Sequence, residues 1–222
     1  MPLALFDLDN TLHDREAAFE RWARAFVVQV GLEDTQARSG PSDGPLSFLV
    51  EADRDGYAPR DQMFAAFSSR YALDVDVADM VEEYRESYPD AFELSGAARS
   101  GLRALRSGGW KVGVVTNGLQ FQENKLTVTG LIDEVDACCI SGVVDSWKPD
   151  RFIFEEAARR CGADLEGWMV GDSPEADIRG GQGVGLKTIW LQRGRSWTLD
   201  PPLPDAQVDT VEAAIELILN LS

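Results

Sequence analysis

Hydrophobic positions along this chain follow two different periods. Short continuous apolar runs occur at Leu3-Ala4-Leu5-Phe6, Lys111-Val112-Gly113-Val114-Val115, Ala137-Cys138-Cys139-Ile140, Trp168-Met169-Val170 and Leu186 to Leu191. Each gives way to a polar or glycine-containing turn. Segments with helical spacing lie between and after them, at Ala97 to Arg106, Phe152 to Arg160 and Val211 to Leu221. Short strands that are apolar on both faces, alternating with helices, predict a parallel sheet covered on each side, the α/β class.

The alternation has one long gap. Between about Asp14 and Pro89 no run reads as a buried strand; the pattern predicts amphipathic helices over Glu16 to Val30, Leu46 to Ala52, Arg60 to Tyr71 and Val77 to Tyr88. A turn-rich piece, Ser39-Gly40-Pro41-Ser42-Asp43-Gly44-Pro45, separates the first two. Several helices in succession are too many for one crossover. The expected organisation is therefore an α/β core, residues 1–13 and 91–222, with an all-helical insertion over 14–90.

Composition narrows the function classes. Among 222 residues, 38 Asp and Glu stand against 21 Lys and Arg, a formal charge of −17. Such a body repels nucleic-acid backbones and anionic lipid, so neither is an expected partner. No stretch approaches the roughly 20 apolar residues of a membrane span. The first residues carry no basic region and reach Asp7 quickly, unlike a secretory signal. Three cysteines, Cys138, Cys139 and Cys161, form no disulfide framework and read as small core residues in a reducing cytoplasm. Monomer and homodimer are equally compatible with the sequence.

Ligands in open α/β sheets bind at the carboxyl ends of the strands. Those ends carry Asp7-Leu8-Asp9-Asn10-Thr11, Thr116-Asn117-Gly118 and Gly171-Asp172-Ser173-Pro174-Glu175-Ala176-Asp177, and Lys148-Pro149-Asp150 precedes a helix. Asp7 and Asp9 would share one face if extended chain continued that far. Carboxylates brought together with Asp172 repel, and a hard divalent cation such as Mg²⁺ relieves this with oxygen ligands. Thr116 and the following N–H groups offer a phosphate-binding turn, and Lys148 a point charge. The set suits phosphoryl transfer with a carboxylate nucleophile.

Asp7-x-Asp9-x-Thr11, Thr116-Asn117, Lys148-Pro149-Asp150 and Gly171-Asp172-x-x-x-x-Asp177 resemble, in order and separation, the four motifs of the haloacid dehalogenase-like (HAD) hydrolases. Asp177-Ile178-x-Gly180 and Gly185-x-Lys187-Thr188-Ile189-Trp190 add to the likeness. The resemblance implies a Rossmann-like sheet with an inserted helical cap that closes over a small phosphorylated metabolite. It implies Asp7 as nucleophile and Asp9 as acid and base, with its carbonyl on Mg²⁺. Thr116 and the Asn117 amide would hold phosphate, Lys148 would neutralise charge, Asp172 would complete the metal site, and Asp177 would support it. The second acid favours a phosphatase over a dehalogenase, because halide leaves without a proton. A phosphosugar mutase of the same fold and a catalytically silent binding protein are the rival readings. The Thr116-Asn117-Gly118 and Lys187 to Trp190 segments are similar to relatives acting on nucleoside monophosphates or sugar-acid phosphates, and glycolate phosphate also fits.

Other features carry blander expectations. Gly180 to Gly185 lacks the order and register of a dinucleotide loop and reads as close helix-to-strand packing. His13, the only histidine, reads as a hinge residue more than a substrate contact. Phe19, Trp22, Phe26 and Val30 share a helical face and are expected in the core of the insertion. Arg15, Arg54 and Arg60 could bind a substrate carboxylate or second phosphate, but solvent exposure is the expected state. Asp43 is a weak candidate for reading substrate. The runs Asp74-Val75-Asp76 and Glu82-Glu83 are expected on solvated faces.

Overall fold

The computed structural model describes residues 1–32 and 44–221. The chain forms two compact units: Met1–Asp14 with Glu93–Ser222, and Arg15–Phe92. The Ser39 to Asp43 stretch, including the substrate-reading candidate Asp43, lies outside the described residues.

The first unit is built on six parallel strands: β1 (Leu3–Phe6), β2 (Lys111–Thr116), β3 (Ala137–Ile140), β4 (Gly167–Gly171), β5 (Lys187–Leu191) and β6 (Ala206–Val208). Their order is β3-β2-β1-β4-β5-β6, a Rossmann-like arrangement in which the chain reverses direction across the sheet beside β1. The first five strands match the apolar runs. Strand β6 has no such signal: Ala206-Gln207-Val208 is a short edge strand with an exposed centre, and pairing to β5 creates it.

Alternation along β1 divides the core between the two sheet faces. Ala4 and Phe6 join Leu102, Leu105, Val112, Val114, Ile215 and Ile218, the face covered by helices Gly96–Ser107 and Val211–Asn220. Leu3 and Leu5 join Ile153, Phe154, Ala157 and Met169, the face covered by helix Arg151–Cys161. A sheet so sandwiched has no wet face, which is why its strands read as continuous apolar runs. The three cysteines are free thiols, and Cys139 and Cys161 are buried in this second layer.

The glycine run forms the short helix Gly180–Gly183 against the sheet. A Cβ on Gly181 would sit 2.9 Å from that of Met169, and one on Gly180 2.7 Å from the Phe154 ring. Close packing is therefore its role.

The second unit is helical: α1 (Arg15–Gln29), α2 (Pro45–Asp53), α3 (Arg60–Tyr71) and α4 (Val77–Ser87). Phe19, Trp22 and Phe26 are buried on one face of α1 and meet Phe64, Phe67, Tyr84 and Tyr88. Trp22 stacks on Phe26 at 5.0 Å, and its indole N–H donates to Ser87 Oγ at 2.8 Å, so the ring's one polar atom is satisfied. The expectation that Arg15 and Arg60 are solvated is wrong. Arg15 donates to both carboxylate oxygens of the buried Asp53 (2.9 and 2.8 Å), and Arg60 pairs with it at 2.7 Å. A buried carboxylate demands such partners. Gly56, at φ +90°, fits against this group; a Cβ there would lie 2.8 Å from Arg15 Nε. No helix of the described residues is long and apolar enough to cross a membrane.

Candidate active site

The carboxyl end of β1 brings Asp7 into the centre of a charged cluster. Strand β1 stops at Phe6, and the Asp7 N–H still donates to Val170 O at 2.9 Å, so the main chain is anchored where the side chain emerges. Asp7 Oδ1 accepts from Lys148 Nζ at 2.6 Å. The same ammonium donates to Asp177 Oδ1 and to the Val115 carbonyl, each at 2.7 Å. Three acceptors for three N–H groups leave this buried lysine fully satisfied.

Asp7, Asp172 and Asp177 each present a carboxylate oxygen within 4.8 Å of the others. An all-carboxylate set of hard oxygen donors is the chemistry Mg²⁺ takes, so the residues fit the expected ion. Asp177 is the most engaged of the three: Oδ1 accepts from Lys148 and Oδ2 from the Ser173 N–H at 2.9 Å. Its close seat depends on Gly171, where any Cβ would overlap the Asp177 carboxylate. Asp172 accepts from Arg195 at 2.9 Å.

The electrostatics follow from this crowding. Burial holds the Asp7 carboxyl above the ordinary aspartate range; Lys148 opposes the rise, and Asp177 and Asp172 add to it. Burial and Asp177 push Asp172 up to about 6 against the pull of Arg195. Burial works against the charge on Lys148, but the Asp177 and Asp7 carboxylates outweigh it and keep the lysine an ammonium.

Asp9 departs from the simplest expectation. Extended chain does not continue to it; Asn10 beyond takes a left-handed φ of 62°. The Asp9 carboxylate does not join the acidic group. It accepts from Lys125 Nζ (2.8 and 2.7 Å, one to each oxygen) and from Gln122 Nε2 (2.9 Å). Thr116 Oγ1, at the end of β2, accepts from the same Gln122 nitrogen at 2.9 Å. The Asn117 side chain is committed to the main chain of Lys148, donating to its carbonyl at 3.0 Å and accepting from its N–H at 2.8 Å. His13 is buried, and burial lowers its pKa to about 4.

Sequence reasoning missed five side chains that shape this site. Gln122 and Lys125 stand three apart on helix Phe121–Val128, so they share a face, directly after the Thr116 loop. Arg193 and Arg195 follow β5 at its carboxyl end, the position where the sheet rule places chemistry. Arg193 donates to the Asn10 side chain at 3.0 Å. Ser141 Oγ accepts from the Gly118 N–H at 2.8 Å and ties β3 to the loop after β2; it carried no sequence signal.

Comparison with known proteins agrees with this geometry. The family model for haloacid dehalogenase-like hydrolases matches residues 1–185. A glyceraldehyde 3-phosphate phosphatase of Methanopyrus kandleri is 28% identical over 98% of this chain and 97% of its own. Another glyceraldehyde 3-phosphate phosphatase, from Pyrococcus abyssi, is 33% identical over 86% of this chain and 81% of its own. The crystal structure of a HAD phosphatase from Thermococcus onnurineus superposes with a TM-score of 0.63 at 25% identity, covering 98% and 97% of the two chains. With the motifs at the strand ends and a family match over most of its length, the chain belongs to the haloacid dehalogenase-like hydrolases.

Proposed function

We propose that this enzyme is a Mg²⁺-dependent phosphatase that hydrolyses a small phosphorylated metabolite through an aspartyl-phosphate on Asp7. The observation that carries the reading is the buried Asp7–Lys148 contact beside two further acids: Oδ1 is held at 2.6 Å, and Oδ2 is left to attack. Asp7 and Asp172, with Asp177 in support and the Asp9 carbonyl, would hold the ion. Bound there, Mg²⁺ supplies positive charge that offsets the acids and draws electron density from the phosphoryl oxygens.

In the first transfer Asp7 Oδ2 forms a bond to phosphorus, the bond to the alcohol oxygen breaks, and protonated Asp9 gives that oxygen its proton. In the second, Asp9 takes a proton from water as the water oxygen attacks phosphorus, and Asp7 leaves as a carboxylate. The Thr116 hydroxyl and the Asn117 main-chain N–H would hold the phosphoryl oxygens, since the Asn117 side chain is engaged elsewhere. Asp9 favours phosphatase over dehalogenase, because an alkoxide needs a proton and a halide does not. Substrate choice is assigned to the helical unit Arg15–Phe92, read as a cap. Free thiols suit a reducing cytoplasm.

The relatives differ in substrate: glyceraldehyde 3-phosphate, phosphoserine in a Thermus thermophilus enzyme 28% identical over 94% of each chain, and pyrimidine 5'-nucleotides in an Escherichia coli enzyme matched over 54%. These three compounds and glycolate phosphate belong in a phosphate-release screen of about a hundred metabolites, ranked by kcat/KM. The primary test is release of phosphate from p-nitrophenyl phosphate. Release should require Mg²⁺, stop with chelator and vanish in Asp7→Asn. No release from any phosphate ester at millimolar Mg²⁺ would sink the reading.

A further inference from the structure

We infer that Gln122 is a positioning residue that fixes both the acid–base carboxylate and the polarity of the phosphate-binding hydroxyl. The inference rests on the roles proposed above for Asp9 and Thr116. Gln122 is buried, and its side-chain nitrogen lies 2.9 Å from Asp9 Oδ2 and 2.9 Å from Thr116 Oγ1. In its ionised form, paired with Lys125, the Asp9 carboxylate accepts only, so before it takes up a proton it dictates which end of the amide faces it: the NH₂. That group has two hydrogens, and its two short contacts take them; the Asn117 carbonyl is a third and longer one, at 3.5 Å. Lys125, also buried, donates to both Asp9 oxygens from the same helix.

A hydroxyl can accept or donate, and an unconstrained threonine does either. Thr116 accepts from Gln122, so its own hydrogen is the one left to donate to a phosphoryl oxygen. A donor there stabilises the negative charge that develops on transfer; a lone pair there would repel it. The same amide sets the distance between the group that holds phosphate and the group that serves the leaving oxygen. Gln122 touches neither reacting atom; it acts through Asp9 and Thr116.

The test separates this role from simple packing. The first transfer determines kcat/KM, because the alcohol is released there. An aryl group such as p-nitrophenol leaves without help, whereas an alkyl alcohol needs the proton from Asp9. In Gln122→Met, kcat/KM for the alkyl phosphate that wild type hydrolyses fastest should fall at least about tenfold further than for p-nitrophenyl phosphate, part of the 10²–10⁴ that acid catalysis supplies. Inhibition by inorganic phosphate should weaken about 2- to 10-fold with the loss of the Thr116 donor's alignment. Gln122→Glu, of nearly the same volume, should do worse on both counts because it sets a carboxylate against Asp9. Thermal unfolding of each variant establishes that it is folded. Equal losses on both esters with unchanged phosphate inhibition would overturn the inference and leave the phosphatase reading intact. A wild-type enzyme that releases no phosphate from either ester would overturn both.

Discussion

The two compact units bury charge for different ends. In the helical unit, Asp53 sits between Arg15 and Arg60, with Asp55 3.7 Å from Arg15, so two acids meet two bases by direct pairing beside the Phe19 ring. In the α/β unit, Asp7, Asp172 and Asp177 crowd together; Asp7 and Asp177 share the Lys148 ammonium, and Arg195 pairs with Asp172. A paired carboxylate stabilises the state that pairs it. Burial, with neighbouring acids adding to it, raises the carboxyl pKa values of Asp7 and Asp172 and leaves an imbalance that a cation would relieve. Buried charge is thus paired in one unit and crowded in the other, and under the proposed function the crowded set is the one that does chemistry.

The strongest way to break this contrast is Lys148→Met. It should cut kcat by about 10³-fold or more, because the ammonium that balances Asp7 and the transferring group is gone. Steady-state phosphate release measures the loss; a change below tenfold would make Lys148 merely structural.

Next in size is Asp53→Asn in the helical unit. The buried Arg15 and the half-buried Arg60 lose their charged acceptor, and stability should drop by about 3 kcal/mol in urea unfolding. The matching substitution in the other unit, Asp7→Asn, should have the opposite sign: removing one of three crowded acids should raise metal-free stability by about 1 kcal/mol near pH 8 while abolishing turnover. Equal destabilisation by both variants would erase the distinction.

A smaller effect follows from pH. Buried His13 holds its proton only below about 4, whereas the unfolded chain takes one up near the ordinary 6.5. Unfolded protein therefore binds more protons between those values, and stability should fall as pH drops from 6.5 to 4. Glu134, held down to about 2 chiefly by the hydrogen bond from Arg103, extends the fall from the ordinary 4.5 towards 2. The raised carboxyls of Asp7 and Asp172 act in the opposite sense above about pH 4, so the His13 contribution is read as a difference: in urea titrations the stability of wild type relative to His13→Phe should fall between pH 6.5 and 4.

Much of the α/β unit was legible because its signals are local. The first five strands are continuous apolar runs; three of the four motifs sit where a strand ends, and Lys148-Pro149-Asp150 directly precedes helix Arg151–Cys161. The aromatic face of α1 was equally plain from its spacing. Less legible were features made by distant partners. Edge strand β6 exists because β5 offers a ladder. Arg15 and Asp53 are 38 residues apart, so solvation was the natural expectation until the fold joined them. The Asp9 carboxylate meets Lys125 across 116 positions, and no pattern in either segment encodes that contact.

By itself, then, the order of residues determined the class of fold, the helical insertion and the residue types available for phosphoryl chemistry, because periodicity and turn chemistry act over a few neighbours. Only tertiary structure decided which acids crowd and which are paired. Asp9 turns to Lys125 and Gln122 while Asp177 shares a lysine with Asp7. Burial and charge partners set the role of a carboxylate, and both are properties of what surrounds it in space.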